Sequence, residues 1–99
     1  MDMKALMEQA KGLQAKVAAA QESLGRTTVK GIAAGGMAIV EMSGKYDLVK
    51  LTLAPDLMKE DLDSVTGIVS AAFNDAKAKA DATIDKVMGE ATAGMPMPG

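Results

Sequence analysis

Proton transfer near neutral pH usually draws on histidine, and nucleophilic chemistry draws most readily on cysteine; this 99-residue sequence contains neither. The absence of cysteine also removes any disulfide framework and any thiolate metal site. Carboxylates, lysines, hydroxyls and one tyrosine remain. The nearest approach to paired carboxylates is Asp61 with Asp63 and Asp81 with Asp85, and only the second pair has the i, i+4 spacing that shares a helical face. No histidine completes a transition-metal set around them, and the spacing is not that of a calcium-binding loop. Gly31, Gly35, Gly36 and Gly44 form no phosphate-binding or dinucleotide fingerprint and read as turn glycines. Ser64, Ser70 and the threonines have no base beside them. The expectation is a protein without enzymatic activity, cofactor, metal or small-molecule substrate.

The lysines carry the remaining chemistry, which is attraction to a polyanion. Lys4 and Lys11 lie seven apart on one flank of a predicted first helix, with Lys16 on its other flank. Arg26 and Lys30 follow at the start of a strand region. On a second predicted helix Lys79 and Lys86 are again seven apart, with Lys77 on the opposite flank. The net charge of -2 and pI of about 5.0 confine any basic surface to a local patch. Glu8 follows Lys4 by four residues and Asp75 precedes Lys79 by four, so ordinary helix-surface pairs worth about 0.2–0.5 kcal/mol each compete for these cations. On chemistry alone, a solvated helix surface is the first reading and nucleic-acid binding the second. Nine methionines offer an adaptable contact surface, although Met3, Met7 and Met42 read first as core filler and Met95 and Met97 fall in a terminal tail.

These groups must be positioned by an α+β chain. Met3, Leu6, Ala10, Leu13, Val17, Ala20 and Leu24 alternate steps of three and four, the heptad period of a helix that pairs with another helix. Gly25 stands where a C-terminal cap is expected. Three β-rich runs follow: Thr27 to Ile32, Met37 to Met42 and Tyr46 to Leu53. With turns at residues 33–36 and 43–45, they predict a three-stranded antiparallel meander. Met37 and Ile39 sit opposite the core face of the second strand, so that side requires a cover. A turn over Asp56 to Lys59 and a cap at Glu60 or Asp61 precede a second long helix running to about Gly89. Its stripe of Val65, Val69, Phe73, Ala76, Ala80, Ile84 and Val87 has the period of a straight helix laid on a sheet. Residues 1–92 make one domain and 93–99 a flexible Met/Pro/Gly tail. So short a chain has a marginal core of its own, and pairing with a second copy is the expected remedy. The residues assigned to that contact are Met3, Leu6, Leu13, Val17, Leu24, Met37 and Ile39. The N-terminus lacks a leader pattern and no window reaches membrane-spanning length, which predicts a cytoplasmic protein without membrane contact.

Leu6-Met7-Glu8-Gln9-Ala10 with Gln14 and Lys16, the stretch from Gly36 to Gly44, Leu53-Ala54-Pro55-Asp56-Leu57, and above all Ala71-Ala72-Phe73-Asn74-Asp75-Ala76 resemble the YbaB/EbfC family of bacterial nucleoid-associated proteins. The resemblance covers nearly the whole chain in order. It implies a helix, three-strand sheet, helix subunit that forms a homodimer and binds double-stranded DNA at the nucleoid. It places basic residues of the family at Lys16, Lys77 and Lys79; Glu8 and Ala19 depart from its more basic first helix. With those three, the cations read along the sequence make the expected interface one of phosphate contact from Lys4, Lys11, Lys16, Arg26, Lys30, Lys77, Lys79 and Lys86, with little sequence preference. A module or assembly chaperone that offers its methionine-rich helix to a protein partner is the alternative.

Overall fold

The computed structural model describes residues 2–93. Helix α1 (Met3–Arg26) leads into strands β1 (Thr28–Ala33), β2 (Ala38–Ser43) and β3 (Leu48–Leu53), and helix α2 (Leu62–Ala91) closes the chain. Short 3-10 turns occupy Ala34–Gly36 and Pro55–Lys59. The strands form one antiparallel sheet in the order β1-β2-β3, as the alternation and turn residues require. The tail expected over residues 93–99 lies, apart from Ala93, outside the described residues.

Both helices begin with an aspartate whose carboxylate accepts from an otherwise unpaired backbone N–H: Asp2 from Lys4 at 3.1 Å and Asp61 from Ser64 at 2.9 Å. The C-terminal end of α1 departs from expectation. Gly25 does not stop it; the helix continues to Arg26, and Thr27 turns the chain extended while its hydroxyl donates to the Ser23 carbonyl at 2.9 Å.

The core lies between the sheet and α2. Ala38, Val40 and Met42 present one face of β2 to Ala72, Ala76 and Ala80 of α2, and Leu57 closes one end. This corrects the predicted stripe: the helix turns Ala72 inward and leaves Phe73 42% exposed. The reason is close approach. A Cβ at Gly31, whose β2 partner is Val40, would stand 2.1 Å from the Ala72 carbonyl oxygen and 2.7 Å from the Ala76 Cβ. Helix backbone therefore rests almost directly on strand backbone, and only small residues fit between them.

The turn glycines separate into two kinds. Gly35 and Gly36 have φ of 66° and 100°, as a tight connection requires, and Ala34 joins them at 53°. Gly44 is different: its N–H donates to Leu24 and Thr27 carbonyls at 2.9 and 3.0 Å, and a Cβ there would meet the Leu24 carbonyl at 2.6 Å. The left-handed residue of that turn is Tyr46, at φ 68°. Gly44 thus joins the end of α1 to the β2–β3 turn.

The molecule measures 68 × 25 × 17 Å with a radius of gyration of 19.2 Å, against about 13 Å for a compact chain of this length. The cause is in the helices. Leu24 seats α1 at the β2–β3 turn, and Tyr46 of the same turn bonds to Asp81 of α2. From that end of the sheet both helices project, packed side by side and antiparallel, with α1 the longer projection.

Candidate nucleic-acid interface

The heptad face of α1 has two fates. Toward the sheet Ala20 and Leu24 are buried, and Leu13 and Val17 are half-buried, where α1 packs on α2. At the free end Met3 is 73% exposed, Leu6 is 42% exposed, and Ala10 and Met7 are open. Leu24, expected at a contact between copies, is only 4% exposed within one chain and has no surface left to give a partner. Of the two sheet residues expected there, Met37 packs beside the core cluster, and Ile39 is half-buried on the opposite sheet face.

The charges divide unequally between the helices. Along α1 the cations Lys4, Lys11, Lys16 and Arg26 outnumber Glu8 and Glu22; along α2 Lys77, Lys79 and Lys86 are outnumbered by Asp63, Asp75, Asp81, Asp85 and Glu90. Arg26 pairs with Glu22 at 3.2 Å on the surface. Lys4, Lys11 and Lys16 are exposed and make no ion pair among the described residues. The free helix of the projection is therefore its basic member.

Lys79 has a different employment from the one expected of it. Its ammonium lies 3.0 Å from Asp75 and donates to the Lys30 carbonyl at 2.7 Å, while the same Asp75 carboxylate accepts the Ile32 N–H at 2.9 Å. Lys30 and Ile32 belong to β1, an outer strand of the sheet. One i, i+4 pair on α2 thus satisfies a donor and an acceptor that the strand edge would otherwise show to other strands. Lys77 and Lys86 are exposed on opposite flanks of α2 and share no face. The Lys30 side chain lies on the sheet face away from α2, in register with Glu41, which in turn opposes Lys50.

The Ile32 N–H, and after it Lys79, hold the Asp75 carboxyl below the ordinary 3.8. Hydrogen bonds from Ser64 similarly lower Asp61. A carboxyl with a depressed folded value contributes stability that is complete above its unfolded value and lost as pH falls through the folded one. Asp75→Asn should therefore flatten the decline in melting temperature below about pH 4 relative to wild type, read by circular dichroism across an acid series. An acid limb as steep as that of wild type would dissociate Asp75 from the effect. Tyr46 moves the other way: its hydroxyl donates to Asp81, and that bond, with Asp81 and Asp85 close by, raises its pKa.

One feature of this surface has no counterpart in the sequence pattern. Asp75 and Lys79 hold the β1 side of α2, so Phe73 leans toward the β3 side. There Leu51, in register with Val40 on the α2-facing side, is 43% exposed, and Leu48 is 55% exposed. α2 covers β1 and β2 but leaves the outer strand β3 bare. The bulge between Glu41 and Met42 sets Leu48 opposite Met42, a register that cannot be seen in a period-two pattern.

Among the described residues there is no cluster of three metal-ligating side chains and no helix long and apolar enough to cross a membrane. A family model described as the YbaB/EbfC DNA-binding family matches residues 1–95. A nucleoid-associated protein of Bordetella avium is 41% identical over 93 residues, covering 94% of this chain and 86% of that protein. Nucleoid-associated proteins of Brucella ovis and Brucella canis are each 41% identical over 98 residues, covering 98% of this chain and 92% of theirs. The crystal structure of an uncharacterized protein from Helicobacter pylori shares the fold with a TM-score of 0.80, at 21% identity over 91% of this chain and 96% of that one.

Proposed function

The chain belongs to the YbaB/EbfC DNA-binding family, and from that membership we propose that it is a nucleoid-associated protein that pairs as a homodimer and holds duplex DNA by phosphate contacts with little sequence preference. The observation that carries the reading is the exposed set Lys4, Lys11 and Lys16, without an ion pair among the described residues, on a projecting helix in a chain whose other helix is acidic. Cations along a rod can follow a phosphate backbone without entering a groove, and phosphate contacts of that kind carry no sequence information of their own. Pairing supports this by doubling a small patch. The bare apolar side formed by Leu48, Leu51 and Phe73 is the surface we assign to the homodimer, because a chain of 99 residues with an alanine-lined core gains most from covering it. The protein acts without catalysis, in the cytoplasm at the nucleoid.

Two duplexes of equal length and unrelated sequence should bind with similar affinity by fluorescence anisotropy. A hundredfold preference for one would point to base readout instead. Lys79 supplies an internal control. Lys79→Met should lower the melting temperature through loss of its bonds to Asp75 and Lys30 while leaving DNA affinity near wild type. Lys16→Met should do the reverse, reducing the salt slope by about 0.9 for each phosphate it no longer neutralises. Equal losses of affinity in the two variants would return Lys79 to the interface. A second reading, a module that captures protein partners, draws on the exposed Met3, Leu6 and Met7.

A further inference from the structure

Two polar ties hold α2 to the sheet, one on each flank. On the β1 flank Asp75 accepts the Ile32 N–H and Lys79 donates to the Lys30 carbonyl. On the other flank Asp81, eight residues after Phe73 and so on the same side of the helix, accepts from the Tyr46 hydroxyl. Between the ties the contact is made by Ala72, Ala76 and Ala80, whose methyl groups interlock little with the strands beneath them. Such a contact resists lifting more than it resists roll or slide. The direction of the helix is left to its flanks.

Tyr46 holds its place at a cost. It is 45% exposed and has φ of 68°, a conformation unfavourable for a bulky side chain. The glycine of the same turn stands two residues earlier, where clearance of the Leu24 carbonyl requires it. Between them Lys45 lays its side chain along the end of α1: a Cβ at Gly25 would stand 3.4 Å from the Lys45 Cε. Three successive residues therefore grip both helices, Gly44 and Lys45 the end of α1 and Tyr46 the side of α2.

We propose that Tyr46 is a positioning residue for the DNA-binding projection: its bond to Asp81, opposite the tie made by Asp75 and Lys79, fixes the direction in which α2, and α1 packed along it, leave the sheet. This rests on the reading of Lys4, Lys11 and Lys16 as phosphate contacts. Leverage makes the direction matter. Lys4 lies 20 residues from Leu24, about 30 Å along the helix, so a tilt of about 10° at the turn moves it by about 5 Å. A loosened rod can neutralise the same phosphates once bound, but it must first be brought into line, and that ordering weakens binding.

The test is to measure backbone amide residual dipolar couplings in a weakly aligning medium, without DNA. In the wild-type protein the couplings of α1, α2 and the sheet should fit one alignment tensor. Tyr46→Phe should destroy the common fit by reducing the couplings of α1 relative to those of the sheet. Asp81→Ala should do the same, and the two together should do no more than either alone. Circular dichroism well below the melting temperature checks that each variant is folded. Tyr46→Phe should also bind DNA severalfold more weakly with an unchanged salt slope, whereas loss of a phosphate contact lowers the slope. A common fit retained in Tyr46→Phe, additive losses in the double variant, wild-type affinity, or a lowered slope would each overturn the proposal. If the wild-type protein binds no DNA, the phosphate reading fails by itself, and the couplings still decide whether Tyr46 orients the projection.

Discussion

Replacement of Gly31 by alanine should cost about 3 kcal/mol or more and lower the melting temperature by roughly 12–24 °C. The methyl would be placed 2.1 Å from the Ala72 carbonyl oxygen and 2.3 Å from the Ala76 amide nitrogen, both helix backbone, so no rotamer change can relieve it. Either α2 lifts from β1 or the strand distorts, and both movements break the Asp75 and Lys79 bonds to the strand edge. Small domains have about 5–15 kcal/mol of stability in total, so the loss is a large share of what holds this one together. Gly12→Ala makes the counter-experiment: nothing lies within 4 Å of its position, and removing a mid-helix glycine should raise stability by up to about 1 kcal/mol. A Gly31→Ala protein melting within a few degrees of wild type would show that helix and strand approach less closely than these distances require.

Charge reversal of Lys4, Lys11 and Lys16 together is the corresponding test of function. If each meets one phosphate, the counterion-release contribution of three contacts is on the order of 1000-fold in affinity at 50 mM salt, before the repulsion introduced by three glutamates. The salt slope should fall by about 2.7 per protomer. The fold should be untouched, because all three side chains are exposed on a helix held by Ala20 and Leu24 further along. Unchanged affinity in this variant, with unchanged helicity, would favour the protein-capture reading in which the apolar face of α1 carries the function.

Much of the fold was legible because periodicity reports burial. The heptad run of α1 and the alternating strands follow from spacing, which also narrows the cap of α2 to Glu60 or Asp61; the structure uses Asp61. What was hidden depended on distance between backbones. Size and spacing favour Phe73, the largest apolar residue, for the inward stripe of α2, whereas the structure puts the smallest against the sheet. Ala72, Ala76 and Ala80 at intervals of four, with a strand glycine available in Gly31, was the signal that identifies such a contact. The candidate interface was legible on α1 and misleading on α2. The i, i+4 pair of Asp75 and Lys79 looked like surface neutralisation, but its polar atoms also reach two backbone groups of β1, a strand more than 40 residues earlier. No local spacing reveals that Lys79 is engaged while Lys16 makes no ion pair among the described residues. Leu24 is buried within its own chain for the opposite reason: one stripe serves α2 and the sheet at one end and stands open at the other, and the sequence does not mark the boundary.

The measurement that bears most directly on the proposed function is the affinity of the intact protein for a short duplex across a range of monovalent salt. Phosphate contact from Lys4, Lys11 and Lys16 predicts a straight decline of log affinity with log salt. Its slope should be close to -0.9 for each cation engaged, or about -5 when both protomers of a dimer contribute three. An affinity that does not change with salt, or no binding at low salt, would contradict it.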